Sequence, residues 1–491
     1  MSDSRVSTRG VIPILLVAAF VVILNETTMN VALNRIMDDL GVTERTVQWL
    51  TTAFMLTMAV VIPVTGWLLE RVPTRRVFIL AMSLFSAGTA LCLVAPSFGP
   101  LLFGRVVQAS GTAVMMPLLM TTIMQLVAAD HRGQVMGNIS MVISVAPALG
   151  PTLSGIILQL GSWRLIFGVV LPIALAMLVV GSRLLIDVGE VKRVPLDGWS
   201  IPLTVLAFGP LVYGLSLVGA QDVAAWLPGT AIGVGVAALA AFVARQLVLQ
   251  RRDAALLDLR TFNHPAFTLS VGMMAVAMMA LFGTIIMLPL LLQRAYGLPP
   301  LQVGLMLLPG GVAMGVLSPL VGRVFDKAGP RVLVIPASLV VLLVLGLFGT
   351  MTTATPWWAI MAGHIAMSVS FAAIFTPLFT LSLGALPGEL YSHGSAVLGT
   401  IQQVGGAAGT AVFITVFAVR EAAARPLAAT AADAMLSGAR WAFLAAAAIW
   451  LLVVVASFFL KAPAGPPREG QAALSTVGDD GQREPLPSVG R

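Results

Sequence analysis

Charge is what this 491-residue sequence has least of: Asp, Glu, Lys and Arg together make up 10% of it. A soluble globular chain carries roughly 25%, so a water-facing surface of ordinary extent is excluded. Lysine is rarer still. Only Lys192, Lys327 and Lys461 occur, and none follows a glycine. A phosphate-cradling loop needs Gly-Lys, so ATP is not expected as an energy source and no cofactor is expected. The single cysteine, Cys92, rules out an intrachain disulfide. Four histidines, set apart from cysteine, make no metal site and no evident Ser-His-acid triad. The chain is therefore not expected to be an enzyme. Short alternating strands are missing as well, which leaves helices as the way across a bilayer.

What is present is hydrocarbon. Apolar residues make up 58% of the chain and mean hydropathy is +0.97. Fourteen apolar segments of spanning length follow one another from 11–34 to 440–460, each near the ~20 residues that a ~30 Å core requires. The expected fold class is an all-α polytopic membrane protein. Arg5 and Arg9 precede the first segment like the head of a signal peptide, but the run is too long and no small-x-small cleavage site follows. It reads as an uncleaved first span. Basic residues exceed acidic ones, 28 to 21, and gather in short loops rather than in a nucleic-acid patch: Arg71/Arg75/Arg76, Arg132, Arg183/Lys192/Arg193, Arg245/Arg251/Arg252/Arg260 and Arg323/Lys327/Arg331. An even number of spans with this bias puts both termini in the cytoplasm. A bacterial cell (inner) membrane is the expected location and a monomer the expected state. Residues 462–491, rich in Gly, Pro and charge, read as a disordered tail.

The chain repeats itself. Pro63, Gly66, Glu70, Arg71 and Arg75 recur as Pro319, Gly322, Asp326, Lys327 and Arg331, each pair 256 positions apart. Six spans are shorter than this offset by about two spans' length, and the seventh and eighth apolar segments, near 199–249, fit the surplus. The expected organisation is an N-terminal six-helix bundle (1–192), an inserted helix pair (193–252), a C-terminal six-helix bundle (253–461) and the tail. Parallel repeats of this kind are a transporter architecture.

Inside the first span, Leu24–Leu33 places a carboxylate where hydrocarbon belongs. Of the 21 acidic residues, Glu26 alone falls near mid-membrane. A charge at that depth costs at least ~2.5–3.5 kcal/mol on insertion scales, so it has a partner or carries a proton. Glu26, Asn30 and Asn34 are spaced i, i+4, i+8 and share one face. On the fourth span Arg105, Gln108 and Thr112 make a polar stripe. Arg105 is either the counter-charge of Glu26 or an arginine whose head snorkels to the outer interface. Met115 and Met116 either line an adaptable cavity or fill core. His364, Gln402 and Gln403 are intramembrane polar groups that can face the same cavity.

These motifs resemble those of the major facilitator superfamily, in particular its fourteen-span drug:proton antiporter family. Residues 66–76 are similar to the superfamily's loop signature, with Glu70 where Asp is commoner and Pro73 where Gly is usual; residues 322–331 resemble the second copy. The resemblance implies a gating role for Gly66, Glu70, Arg71, Arg75, Arg76, Gly322, Asp326 and Arg331. A bare positive-inside loop is the alternative. Arg105-Val-Val-Gln108-Ala-Ser-Gly111 resembles the family's second signature. Gly137-x8-Ala146-x3-Gly150-Pro151-x2-Ser154-Gly155 resembles its antiporter signature, which implies export and a conformational role for Gly150, Pro151, Ser154 and Gly155. Many relatives carry Asp where Asn25 stands; Asn25-Glu26 is similar to the lincomycin-resistance exporters. Trp163-Arg164 resembles a family element and reads as an interfacial anchor.

The function implied is proton-coupled export of a lipophilic, cationic compound. Glu26 and Arg105 are its coupling pair, and Asn25, Asn30, Asn34, Gln108 and Thr112 line the substrate path. The expected partners are an amphipathic small molecule, protons and the lipid bilayer, with no nucleic acid. Two alternatives stay open: export of a lipid or of an anionic or zwitterionic metabolite on the same scaffold, and a membrane receptor that moves nothing.

Overall fold

The computed structural model describes residues 4–188, 191, 195–218 and 223–461. The boundary near 192 and the tail 462–491 therefore lie outside the described residues, as do the side chains of Asn30, Asn34 and Pro151. Each long apolar run forms a helix, and among the described residues there is no strand. The helices are α1 (Ser4–Leu40), α2 (Glu44–Arg71), α3 (Thr74–Val94), α4 (Phe98–Leu126), α5 (Arg132–Leu160), α6 (Arg164–Leu184), α7 (Ser200–Ser216), α8 (Trp226–Leu249), α9 (Pro265–Arg294), α10 (Pro300–Ala328), α11 (Arg331–Phe348), α12 (Trp357–Gly384), α13 (Tyr391–Ala424) and α14 (Ala431–Ser457).

Local chemistry explains where they stop. Pro73 forces Val72 into extended backbone (φ −114°, ψ 133°) and so ends α2. In the second copy of the motif, Gly329 takes φ +77° and closes α10 ahead of Pro330. Thr43 and Thr430 cap α2 and α14 by accepting from Thr46 N and Asp433 N at 3.2 and 3.1 Å. Twelve of these helices have the length and composition of membrane spans. α5 makes a thirteenth when its two parts, bent by 41° between Pro147 and Thr152, are taken as one. α7 has 17 residues and rises only ~25 Å, short of a ~30 Å core. Against the expected fourteen spans, the described residues form fourteen long helices, of which twelve, or thirteen with the bent α5, qualify as spans and α7 does not on length.

Packing repeats with the sequence. α1 lies on α4, α5 and α6, and α9 lies on α12, α13 and α14. Likewise α2 packs on α4 and α10 on α12, while α3 packs on α4 and α6 and α11 on α12 and α14. The two sets meet crosswise, α2 with α13 and α5 with α10, as a pseudo-two-fold relation requires. α4 and α12 are the most enclosed spans, 78% buried against 17% for α8, so α8 faces lipid. α7 lies between them, packed on α8, α2 and α13, with Trp49 stacked on Tyr213 at 5.5 Å.

The reading of Trp163-Arg164 as an interfacial anchor needs correction. Trp163 is 2% exposed and donates from Nε1 to Asp39 Oδ2 at 2.9 Å. Arg164 stacks over the indole at 4.2 Å, reaches the same oxygen at 2.8 Å and donates to Ala95 O at 3.0 Å. Together they fasten the outer end of α1 to α6 and to the α3–α4 loop. The two donors hold the Asp39 carboxyl below the usual carboxylate range, the Arg164 hydrogen bond being the larger cause and the Trp163 bond the next.

Candidate functional site

The centre of the N-terminal bundle is built where α1, α2, α3 and α4 converge. Small residues make this possible. A β-carbon at Gly88 would strike the backbone of Gln108, and one at Gly111 would strike Ala81 O, so α3 and α4 touch main chain to main chain. Arg105 is 1% exposed, which excludes snorkelling. Its Nη1 donates to Gln108 Oε1 at 2.6 Å and lies 3.5 Å from Asn25 Oδ1, while the guanidinium sits 4.1 Å over the Phe54 ring of α2. Gln108 passes the chain on, donating from Nε2 to Thr89 Oγ1 at 2.8 Å. Thr112 bonds back to Gln108 O. The stripe Arg105–Gln108–Thr112 is therefore one hydrogen-bonded unit with α1, α2 and α3 around it.

Glu26 is not its direct partner. Among the described residues no ion pair joins Glu26 to Arg105; Asn25, one residue earlier, makes the contact instead. Adjacent helical residues point ~100° apart, so the rotation of α1 that turns Asn25 toward Arg105 leaves Glu26 half-buried on the neighbouring flank. One residue further, Thr27 meets α5: a β-carbon at Gly150 would collide with Thr27 Oγ1. Leu24–Leu33 is thus lodged between the arginine stripe of α4 and the bend of α5. Two buried donors in this cluster, Arg105 Nε and Asn25 Nδ2, have no hydrogen-bond partner.

The other predicted cavity residues divide. Met115 is buried in the hydrophobic core and Met116 packs against it half-buried. Gln402 and Gln403 are half-buried on α13, Gln402 bonding to its own helix at Leu398 O, 3.3 Å. His364 lies on α12 against Gly310 of α10. Its buried Nδ1 has no partner. These residues are not drawn into the Arg105 cluster.

At the cytoplasmic ends the repeated motif makes parallel contacts. Asp326 Oδ1 and Oδ2 accept from Gly133 N and Gln134 N, both at 2.8 Å, capping the N-terminus of α5 in the opposite bundle. Gly322 and Gly133 leave no room for a β-carbon on either helix. In the first copy Glu70 reaches His393 Nε2, in the first turn of α13, at 3.2 Å, and Gly66 lies against the same ring. The arginines hold helix C-termini within their own bundles. Arg75 Nε donates to Ser182 O of α6 at 2.7 Å, and Arg331 donates to Leu460 O and Phe458 O after α14 at 2.6 and 3.1 Å. Arg71 stacks over Trp67 at 5.5 Å and Arg76 is exposed. Ser154 is fully buried, while Gly155 faces open space. Arg132–Tyr391 (3.3 Å) and Thr121–Ser395 (3.1 Å) join the bundles at this same end. A cavity of about 570 Å³ opens beside it, bordered by Glu70, Asp258, Arg260, His264, Glu389 and His393.

Sequence reasoning missed Phe54, Thr27, Asp258 and His393. Phe54 and Thr27 carry no signal apart from lying in spans. His393 did carry one, being one of only four histidines and at the head of an apolar helix.

Comparisons with known proteins identify the family. The family profile described as Major Facilitator Superfamily matches residues 15–410. An uncharacterised MFS-type transporter of Bacillus subtilis is 38% identical over 465 residues, 94% of this chain and 97% of its own. A lincomycin resistance protein of the same organism is 37% identical over 456 residues, 91% of this chain and 94% of its own. Among solved structures, the human organic anion transporter MFSD10 superposes with a TM-score of 0.66 at 16% identity, covering 92% of this chain and 99% of that one, a likeness of fold alone.

Proposed function

The chain belongs to the Major Facilitator Superfamily and is a multi-pass transporter of the cell membrane; from this premise we propose that it exports lipophilic cationic compounds in exchange for protons. The observation that carries the reading is the placement of Glu26: a half-buried carboxylate in a span, one residue from the Asn25–Arg105 contact and one from the Thr27–Gly150 contact. Burial and a nearby cation act in opposite senses on a carboxylate's proton. A group held between them can load and release one. A cationic compound beside Glu26 favours the carboxylate and displaces the proton; reprotonation from outside displaces the compound. Because Asn25 and Thr27 flank Glu26, a change at the carboxylate is felt at once by α4 and by the bend of α5. Opening and closing then alternate at the two membrane faces, with Glu70, Asp326 and their glycines as the cytoplasmic fastening.

The energy is adequate. One proton moving through 100 mV supplies about 2.3 kcal/mol, and one pH unit adds about 1.4 kcal/mol. Exchange of one monocation for one proton is electroneutral and draws on the pH difference alone.

A second reading has a specific observation behind it. The unpartnered buried donors Arg105 Nε and Asn25 Nδ2 suit an acceptor, which an anionic lipid or metabolite would bring. The two readings part in one experiment. Purified protein in weakly buffered detergent is mixed with ethidium or with phosphatidylglycerol, and the proton change is recorded. Export of cations against protons requires proton release with ethidium. A proton change with the anionic lipid alone would favour the second reading, and silence with both would leave a receptor.

A further inference from the structure

The α7–α8 pair is joined to the cytoplasmic fastening by an unbroken line of hydrogen bonds. Asp197 grips Arg245 with both carboxylate oxygens at 2.6 and 2.7 Å, tying the start of α7 to the end of α8. One residue on, Gln246 is wholly buried and donates from Nε2 to Ser200 Oγ at 2.9 Å. Its Oε1 accepts from Leu256 N and Leu257 N, at 2.8 and 3.3 Å. The next amide in the connector, Asp258 N, donates to His393 Nδ1 at 3.2 Å. Three consecutive backbone amides therefore bridge α8 to α13. Arg260 folds back onto the Asp258 carboxylate at 2.8 Å through Nε and on to Asp253 at 2.7 Å, which stiffens this bridge.

The imidazole makes the bridge directional. A backbone N–H can only donate, so Nδ1 of His393 is the acceptor and the ring's proton resides on Nε2. Nε2 is the atom 3.2 Å from Glu70 of α2. Asp258 thus selects the tautomer whose N–H sits on the Glu70 side, across the gap between the bundles. The second copy of the motif has no such dependence, because Asp326 accepts directly from two backbone amides of α5. Glu70, one methylene longer than aspartate, reaches a side chain whose donor depends on the connector. The 570 Å³ cavity alongside gives the ring room to withdraw.

We propose that the α7–α8 pair holds the α2–α13 fastening shut through Gln246, the amides of residues 256–258 and His393, which makes His393 a positioning residue for the gate. This rests on the alternating-access reading above. The test measures conformation, so that a wrong substrate class leaves the result standing.

The full chain carries Cys92→Ser, with spin labels on Arg183→Cys at the end of α6 and Lys327→Cys at the end of α10, in lipid nanodiscs. Inter-label distances report the cytoplasmic opening. Glu70→Gln raises the open population by about fivefold or more, and Gln246→Leu does the same although it lies on α8. The double variant opens no further than the larger of the two, because both act on one contact. Ser200→Ala removes only a buried hydroxyl and gives a smaller shift in the same direction, and it serves where Gln246→Leu does not fold. A wild-type distance distribution in folded Gln246→Leu or Ser200→Ala overturns the proposal. So does a double variant whose effect is the product of the singles.

Discussion

Arg105 holds its place by geometry that no other cation can copy. Its Nη1 serves both Gln108 and Asn25 while its plane covers Phe54, and lysine has no plane to lay on the ring. Charge-assisted hydrogen bonds contribute about 1.5–3 kcal/mol, so Arg105→Lys should lower ethidium export by roughly 10- to 100-fold at wild-type expression, measured in inverted vesicles. Asn25 offers a sharper case. Asn25→Asp places a carboxylate 3.5 Å from the guanidinium, at the position where the family pattern has one. The double variant Asn25→Asp/Glu26→Gln is expected to regain part of the proton-driven transport that Glu26→Gln loses. No recovery in that variant would separate the proton role from the arginine contact. Arg105 itself was legible in the sequence, as a permanent charge in an apolar run. Its partner was not. Whether residue 25 or residue 26 faces α4 is decided by the rotation of α1, which depends on α5 packing at Thr27 and Gly150, and no local pattern encodes that.

Helix contacts decide which glycines matter. Gly137 of α5 has no space for a β-carbon against Ser318 O of α10, and Gly322 none against Gly133. Gly137→Leu is expected to hold the cytoplasmic ends apart and abolish transport while the protein still inserts, as judged by monodisperse elution. Gly155 belongs to the same sequence signature but borders open space. There the ordinary helix preference for alanine applies, so Gly155→Ala should leave transport unchanged and raise thermal stability by about 0.5–1 kcal/mol. Spacing identified both glycines, yet only the facing helix distinguishes them. A second element-scale test is the base of the α7–α8 pair. Arg245 hydrogen bonds, followed by those of Ser200, hold the Asp197 carboxyl at about 2, below its ordinary 3.8. A carboxyl lowered in the folded state adds stability that is complete above its unfolded value and is lost as pH falls through the folded one. Wild type and Asp197→Asn should therefore differ in melting temperature at pH 7 and converge as the pH is lowered toward 2. A difference that persists at the lowest pH would assign the effect to packing.

At the scale of the whole molecule, polar contacts between the two helix sets gather among the described residues at the cytoplasmic ends: Gly133 and Gln134 with Asp326, Glu70 with His393, Arg132 with Tyr391 and Thr121 with Ser395. The molecule is fastened at that face. The helices and their order were legible from hydropathy, and the repeat from a constant offset, because bilayer thickness and internal duplication both leave marks along the chain. α7 was legible as apolar but not as short, since its helix stops at Ser216. The link from α8 to the gate was not legible at all, because it runs through backbone amides. Proton-coupled export through Glu26 is the central claim. Its most direct measurement is ethidium uptake into proteoliposomes of inverted orientation, driven only by an imposed pH difference. Wild type should accumulate the dye, and Glu26→Gln should bind it but accumulate none when the pH difference is applied. Uptake by Glu26→Gln at the wild-type rate would contradict the account.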